Sequence, residues 1–334
     1  MHKILALYTG GTIGMNYREG GLTVVPGLFE SQVKSITSLS DIKIDLIEYD
    51  EIIDSSDIAL KHWVRMITDI TNYYDQYDGF VIVHGTDTMA FTASMLSFAL
   101  QGLAKPVILT GSQLPLVHRR SDGWSNLADA VYSAMQSDLQ EVAIAFNHKL
   151  FRGVRAQKVS ANEFVGFDSV DEEPLATFGI KASWHKKIWL KAVNTEFMPI
   201  IPKAVKILNL SFCPGFTTSF IADTLNDTNC DAIILQAYGS GTIPMHDTNL
   251  VNAIKSAVAR GVVIVAITQV IEGRVSDKYT NSQLNKLGIL SGYDMTVEAT
   301  LAKLTILFSS GMDKEQIKET IGKNLVGELT EVED

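Results

Sequence analysis

Short, β-branched apolar runs alternate along this chain with longer segments whose apolar residues recur every three or four positions. That alternation constrains the fold most, because it is the pattern of a parallel sheet covered on both faces by helices. Ile4–Tyr8, Phe80–Val83, Pro106–Leu109 and Val142–Phe146 read as buried strands, with Pro106 at a tolerated first position. Between them Leu60, Trp63, Val64, Ile67, Ile70 and Tyr74 predict a helix capped by Asp57 or a neighbouring serine. Met89–Leu100 predicts a second helix, and Ser121–Asp122 the start of a third that runs to Met135. The polar, glycine-containing stretch Met15–Gly27 has neither period and predicts a mobile loop.

The alternation lapses after Phe146, and from Trp184 to Lys203 no period holds. It resumes with strands at Val205–Leu210, Ala232–Gln236 and Val262–Thr268, and helices at Phe216–Leu225, Leu250–Arg260, Val297–Phe308 and Lys314–Ile321. Pro199 and Pro202 bracket the extended stretch before it, which predicts an N-terminal domain over 1–190, a linker over 191–204 and a C-terminal domain over 205–334. A chain of 334 residues suits two such domains.

Composition narrows the function. No apolar run approaches the ~18 residues of a membrane span, and the first is too short for a signal-peptide core, so the expected location is the cytoplasm. The two cysteines, Cys213 and Cys230, are expected to be reduced and structural. The net charge of -10 opposes binding to nucleic acid or anionic lipid, which leaves small-molecule chemistry as the expected activity.

Ligands of open α/β sheets sit beyond the carboxyl ends of the strands, so the turns there carry the functional signal. Thr9-Gly10-Gly11-Thr12-Ile13-Gly14 follows the first strand, and His84-Gly85-Thr86-Asp87-Thr88 follows the second buried one. Thr12 fills the second glycine position of a dinucleotide-binding fingerprint, and no Gly-Lys-Ser/Thr follows, so neither phosphate-binding motif is complete. Two readings of these turns stay open on the residues alone. Thr12 caps the next segment and Asp87 complements a helix dipole, or the turns converge and place two threonine hydroxyls and one acid in a single pocket. A threonine nucleophile needs a nearby base or cation. His84 and His118 stand in no Ser/His/Asp or metal-ligand context and read as structural. The basic cluster Arg152–Lys158 is either a solvated surface or the source of that cation.

Thr9–Gly14, Asp54-Ser55-Ser56-Asp57, His84–Met89, Thr110-Gly111-Ser112-Gln113 and Arg120-Ser121-Asp122-Gly123, with Thr268-Gln269 and Asp294–Ala299 in the second half, resemble the bacterial L-asparaginase family over nearly the whole chain. The spacing is similar to the cytoplasmic type I branch. The resemblance implies two three-layer α/β domains, the larger N-terminal one on a mixed or parallel sheet and the smaller C-terminal one flavodoxin-like. It implies hydrolysis of L-asparagine to L-aspartate and ammonia, with no cofactor and no metal. Thr12 would form a β-aspartyl acyl-enzyme, and Thr86, Asp87 and Lys158 would form a second triad. Asp54, Ser55 and Ser56 would bind the substrate, Gly11 and Gly85 would present backbone N–H groups, and the Ser112 carbonyl would orient the leaving amide. The resemblance further implies a homotetramer, a dimer of dimers, in which Tyr279 reaches an adjacent subunit's site.

Three positions depart from the family. Leu22 stands where the family places a loop tyrosine that contacts the nucleophile, so that role is either absent or taken by Tyr17. Thr242 stands where asparagine is frequent, and Gln157 stands where a second, cooperative site would need threonine. The competing expectations are a glutaminase-asparaginase, an ammonia-producing amidase subunit, and a non-catalytic small amino-acid binding protein. A dinucleotide oxidoreductase is opposed by the missing fingerprint.

Overall fold

The first strand of the computed structural model, β1 (His2–Gly10), is paired on both sides with parallel neighbours, as its unbroken apolar run requires. The structure describes residues 1–25, 27–33, 42–169, 171–191, 196–215, 217–276 and 284–331. After β1 come a hairpin of β2 (Met15–Arg18) and β3 (Gly21–Val24), a short α1 (Leu28–Val33), β4 (Ile42–Ile53), α2 (Leu60–Tyr73), β5 (Gly79–Val83), α3 (Met89–Ala99), β6 (Val107–Thr110), α4 (Gly123–Ala134) and β7 (Val142–Phe146). Short strands complete this unit: β8 (Lys149–Arg152), β9 (Ala156–Lys158), β10 (Phe167–Ser169), β11 (Ala176–Phe178) and β12 (Ala182–Trp184).

One eight-stranded sheet runs in the order β12-β11-β8-β7-β6-β5-β1-β4. Strands β4, β1, β5, β6 and β7 are parallel, and β8, β11 and β12 add antiparallel pairings. Phe80, Val81, Ile82 and Val83 of β5 are fully buried, each contributing about 1.5–3 kcal/mol. All the parallel strands end on the same side, which sets the place of the candidate site.

Two expectations need correction, and one strand lies outside them. Met15–Val24 is not an irregular loop but a hairpin, closed at Glu19-Gly20 with Gly20 and Gly21 at positive φ of 103° and 126°. Its residues are mostly exposed, so no burial pattern marks it in the sequence. Helix α2 is not capped by Asp57, which lies in a separate 3-10 turn, Ser55–Asp57; the Ala59 N–H at the helix start donates instead to His62 Nδ1 at 3.0 Å. Strand β4 was not anticipated. Its alternation of Ile42, Ile44 and Leu46 with Lys43 and Asp45 is a strand signal, diluted by acidic residues on the exposed side of an edge strand.

The chain divides into two compact units, Met1–Ile201 and Pro202–Asp334. The second comprises β13 (Ile207–Ser211), α5 (Thr217–Asp227), β14 (Ala232–Ala237), α6 (Thr248–Ala259), β15 (Val263–Thr268), β16 (Leu290–Ser291), α7 (Val297–Ser309) and α8 (Lys314–Ile321). Its four strands form a parallel sheet in chain order. Asp247, Thr296 and Asp313 cap α6, α7 and α8 with their side chains. Lys303 of α7 is fully buried, and its Nζ donates to Glu328 Oε1 at 2.5 Å and to the carbonyls of Ile321 and Lys323. Both cysteines are free.

Candidate functional site

Two glycines bring the strand-end turns together. A Cβ on Gly11 would lie 2.6 Å from the Gly85 Cα, and one on Gly85 would lie 2.5 Å from Ser55 Oγ and 3.4 Å from the Gly11 Cα. The turns after β1 and β5 are therefore in backbone contact, closer than any side chain permits, and the Ser55 side chain of the 3-10 turn after β4 packs against Gly85. Gly11 also has φ of 97°, which glycine alone adopts without strain. Thr12 and Thr86 each follow one of the touching glycines, so the turns after β1 and β5 converge.

Around that contact the polar groups are fixed by named partners. Thr88 donates its hydroxyl to the Ser55 carbonyl at 2.6 Å, tying the β5 turn to the β4 turn. Asp54 Oδ1 accepts both the N–H and the hydroxyl of Ser56 at 2.9 Å. Ser55 is buried, whereas Asp54 and Ser56 are exposed. The Leu116 N–H donates to the Ile13 carbonyl at 3.0 Å, joining the turn after β1 to the segment after β6. Thr12 is half-buried, and its hydroxyl has no partner among the described residues.

Strand β9, paired with β10 at Lys158 and Phe167, carries Lys158 to the turn after β5. Its Nζ donates to Thr86 Oγ1 at 2.8 Å and to Asp87 Oδ1 at 2.6 Å. The Lys158 side chain is 20% exposed, and that of Asp87 64%. A partly desolvated cation that donates to a hydroxyl oxygen favours charge on that oxygen and leaves the hydroxyl proton free to move elsewhere. The basic cluster is thus not merely a solvated surface.

Ser112 sits in a turn built by residues that sequence reasoning left without a role. The Asp122 carboxylate accepts the N–H groups of Gln113 and Leu114 at 3.0–3.1 Å, and Asn126 Nδ2 bridges Asp122 Oδ2 to the Gly111 carbonyl. Asp122 precedes α4, as expected of a cap, but its side chain serves this turn rather than the helix. His84 is 2% exposed, and burial lowers its pKa to about 4.

Tyr17 lies on the hairpin, 53% exposed, with its ring centroid 6.2 Å from that of His118. Its hydroxyl has no hydrogen bond to a described residue. Tyr279 lies outside the described residues. Among the described residues no group of three or more His, Cys, Asp or Glu side chains is placed to hold a metal.

Residues 3–190 match the family described as Asparaginase, N-terminal, and residues 205–321 match the Glutaminase/Asparaginase C-terminal domain. L-asparaginase 1 of Escherichia coli is 39% identical, with 98% of each chain covered. The crystal structure of L-asparaginase I from Vibrio cholerae superposes with a TM-score of 0.91 at 37% identity, covering 98% of this chain and 99% of that one. The thermostable L-asparaginase of Thermococcus kodakarensis gives a TM-score of 0.90 at 30% identity, covering 99% and 100%.

Proposed function

Because this chain belongs to the asparaginase family and is an amidohydrolase, we propose that it hydrolyses L-asparagine to L-aspartate and ammonia through an acyl-enzyme on Thr12. The observation that carries the mechanism is Lys158 Nζ held on Thr86 Oγ1 and Asp87 Oδ1 at the end of the sheet where Gly11 and Gly85 touch. Thr12 Oγ attacks the amide carbon. Its proton passes to the departing nitrogen, which leaves as ammonia. Water then attacks the ester and passes a proton to Thr86 Oγ1 as Thr86 gives its own hydroxyl proton to the departing Thr12 Oγ, with Lys158 favouring the transient charge on Thr86, so that aspartate leaves and Thr12 is regenerated. Ser55 and Ser56, beside Asp54, receive the substrate α-carboxylate. Backbone N–H groups beside Gly11 and Gly85 face the oxyanion, and the Ser112 carbonyl orients the leaving amide.

The reading extends to a homotetramer in the cytoplasm, to whose sites Tyr279 of the partner subunit contributes. Supporting it are the full-length likeness to the relatives above and the absence, among the described residues, of a helix long and apolar enough to cross a membrane. Sedimentation at catalytic concentration checks the assembly, with a monomer as the refuting result.

A coupled ammonia assay with L-Asn, L-Gln and D-Asn tests the activity. L-Asn is expected to be preferred over L-Gln by roughly ten- to a hundredfold in kcat/KM, because one methylene displaces the amide from attack geometry. Comparable efficiency on both amides assigns a glutaminase-asparaginase instead, and no ammonia from either leaves a binding protein. Thr12→Ala should lower turnover by several orders of magnitude while folding persists. More than about a tenth of the wild-type rate, a loss under ~1.4 kcal/mol, excludes Thr12 as nucleophile.

A further inference from the structure

A buried chain of hydrogen bonds runs under the turn after β5 from two helices. Trp63 of α2 donates its indole Nε1–H to Thr92 Oγ1 of α3 at 3.0 Å, Thr92 Oγ1 lies 3.0 Å from His84 Nε2, and His84 Nδ1 lies 2.7 Å from the Gly85 carbonyl. Thr92 is fully buried and His84 nearly so. The direction of each bond follows from the end groups. A carbonyl only accepts, so Nδ1 carries the proton and donates to Gly85. In the neutral ring Nε2 then accepts, and the Thr92 hydroxyl, its oxygen already taken by Trp63, donates to it.

The chain therefore pulls the Gly85 carbonyl toward the protein interior. In a trans peptide the carbonyl and the following N–H point in opposite directions, so the Thr86 N–H is turned outward. That N–H has no acceptor among the described residues, and it belongs to the turn whose Gly85 touches Gly11 and Ser55. The His84 backbone is itself fixed: its N–H donates to the Thr110 carbonyl at 2.8 Å, and a Cβ on Gly111 would lie 2.4 Å from its carbonyl oxygen. The ring thus has a rigid base from which to hold the next peptide.

We propose that His84 is a positioning residue, which through the Trp63–Thr92–His84–Gly85 chain fixes the Gly85–Thr86 peptide so that the Thr86 N–H is aimed at the oxyanion formed during amide hydrolysis. This rests on the amidohydrolase reading above. It accounts for a histidine that has no proton-transfer role being buried beside the reacting groups. A donor preset to the charge that develops in the transition state acts on kcat more than on substrate binding.

Two experiments on the full-length enzyme test it. The first needs no activity: the imidazole nitrogen shifts of histidine-labelled protein at pH 7 should show His84 as the neutral Nδ1–H tautomer. An Nε2–H tautomer or an imidazolium overturns the proposal. The second compares Thr92→Val, Thr92→Ser and Trp63→Phe with wild type in ammonia release from L-asparagine, with folded fraction measured in parallel. Thr92→Val should lose at least tenfold in kcat with KM within about twofold, whereas Thr92→Ser, which keeps the hydroxyl, should stay within about threefold of wild type. Unchanged kcat in Thr92→Val, or equal losses in the two variants, overturns the proposal. Should Thr92→Val fail to fold, Trp63→Phe carries the same test, since it frees the Thr92 hydroxyl from its fixed orientation: kcat is expected to fall at least threefold at constant KM, and an unchanged kcat is the overturning result. Wild-type protein that releases no ammonia refutes the amidohydrolase reading and with it the catalytic part of this one, whereas active wild type with an insensitive Thr92→Val refutes the positioning role alone.

Discussion

Tyr17 and Leu22 are direct partners across the β2–β3 hairpin. Opposed residues in an antiparallel pair carry their side chains on the same face, about 4.5–5.5 Å apart at Cβ. By the family resemblance Leu22 stands at the position of a loop tyrosine, and Tyr17, its cross-strand partner, carries a phenol hydroxyl on the same surface.

Tyr17→Phe keeps the ring and deletes only that hydroxyl. We expect kcat to fall tenfold or more, about 1.4 kcal/mol. Adding Leu22→Tyr to Tyr17→Phe should restore part of the loss, because it returns a hydroxyl one cross-strand step away. Steady-state kinetics of the three proteins check this, and wild-type turnover in Tyr17→Phe removes Tyr17 from the mechanism.

Lys158→Met removes the group bonded to both Thr86 and Asp87. A loss of about a hundredfold or more in kcat/KM is expected, the range of a positioned proton-transfer group. Arg119, exposed on the segment after β6, provides the control, and Arg119→Met should change little. Similar losses in both variants would reduce the contribution of Lys158 to general field effects.

What was legible in the sequence follows from burial. Strands β5 and β7 and helices α3 and α4 are bounded as their apolar runs predict, because each is enclosed on both faces or along a full stripe. The hairpin and β4 carry half-exposed or charged residues, so their pairing is set by turn geometry and neighbours rather than by a burial period. The short strands β8–β12 have three or four residues each, too few to show a period. At the site, the residue types at the strand ends were readable, but two kinds of information were not. The Gly11–Gly85 contact joins positions 74 apart in the chain, and the approach of Lys158 depends on β9, which no local signal announces.

Gly85→Ala tests the packing of Gly85 against Ser55. Its Cβ would fall 2.5 Å from Ser55 Oγ and 2.7 Å from Ser55 Cβ, so Ser55 must move. On the proposed role of Ser55 in receiving the substrate carboxylate, KM for L-asparagine should rise at least tenfold in a protein that still folds. An unchanged KM separates Ser55 from the substrate.

Lys303 and Glu328 form a fully buried pair in the second unit, where Glu328 also accepts the N–H groups of Leu325 and Val326. Removing one partner strands a buried charge, so Lys303→Met should cost about 3–5 kcal/mol in urea unfolding. Adding Glu328→Gln, which neutralises the stranded carboxylate, should recover part of it. A single-variant loss below about 1 kcal/mol would contradict the burial of the pair.

The depressed pKa of His84 makes a prediction about stability and acid. Burial holds the folded-state value down to about 4, against an ordinary value of 6.5. As pH falls below 6.5 the unfolded chain takes up a proton on this ring that the folded protein refuses, so unfolding is favoured progressively until the folded ring titrates near 4. The contribution is fully present above pH 6.5 and lost on acidification, by up to about 3 kcal/mol at 1.36 kcal/mol per unit. His84→Gln has no group to titrate at this position. The difference in unfolding free energy between wild type and His84→Gln should therefore shift against wild type between pH 7 and pH 4.5, while the carboxylates and the other histidines contribute equally to both proteins. Parallel stability curves for the two proteins across that window would mean that the ring at position 84 takes up its proton in the folded state as readily as in the unfolded one, and is not sealed beneath the turn.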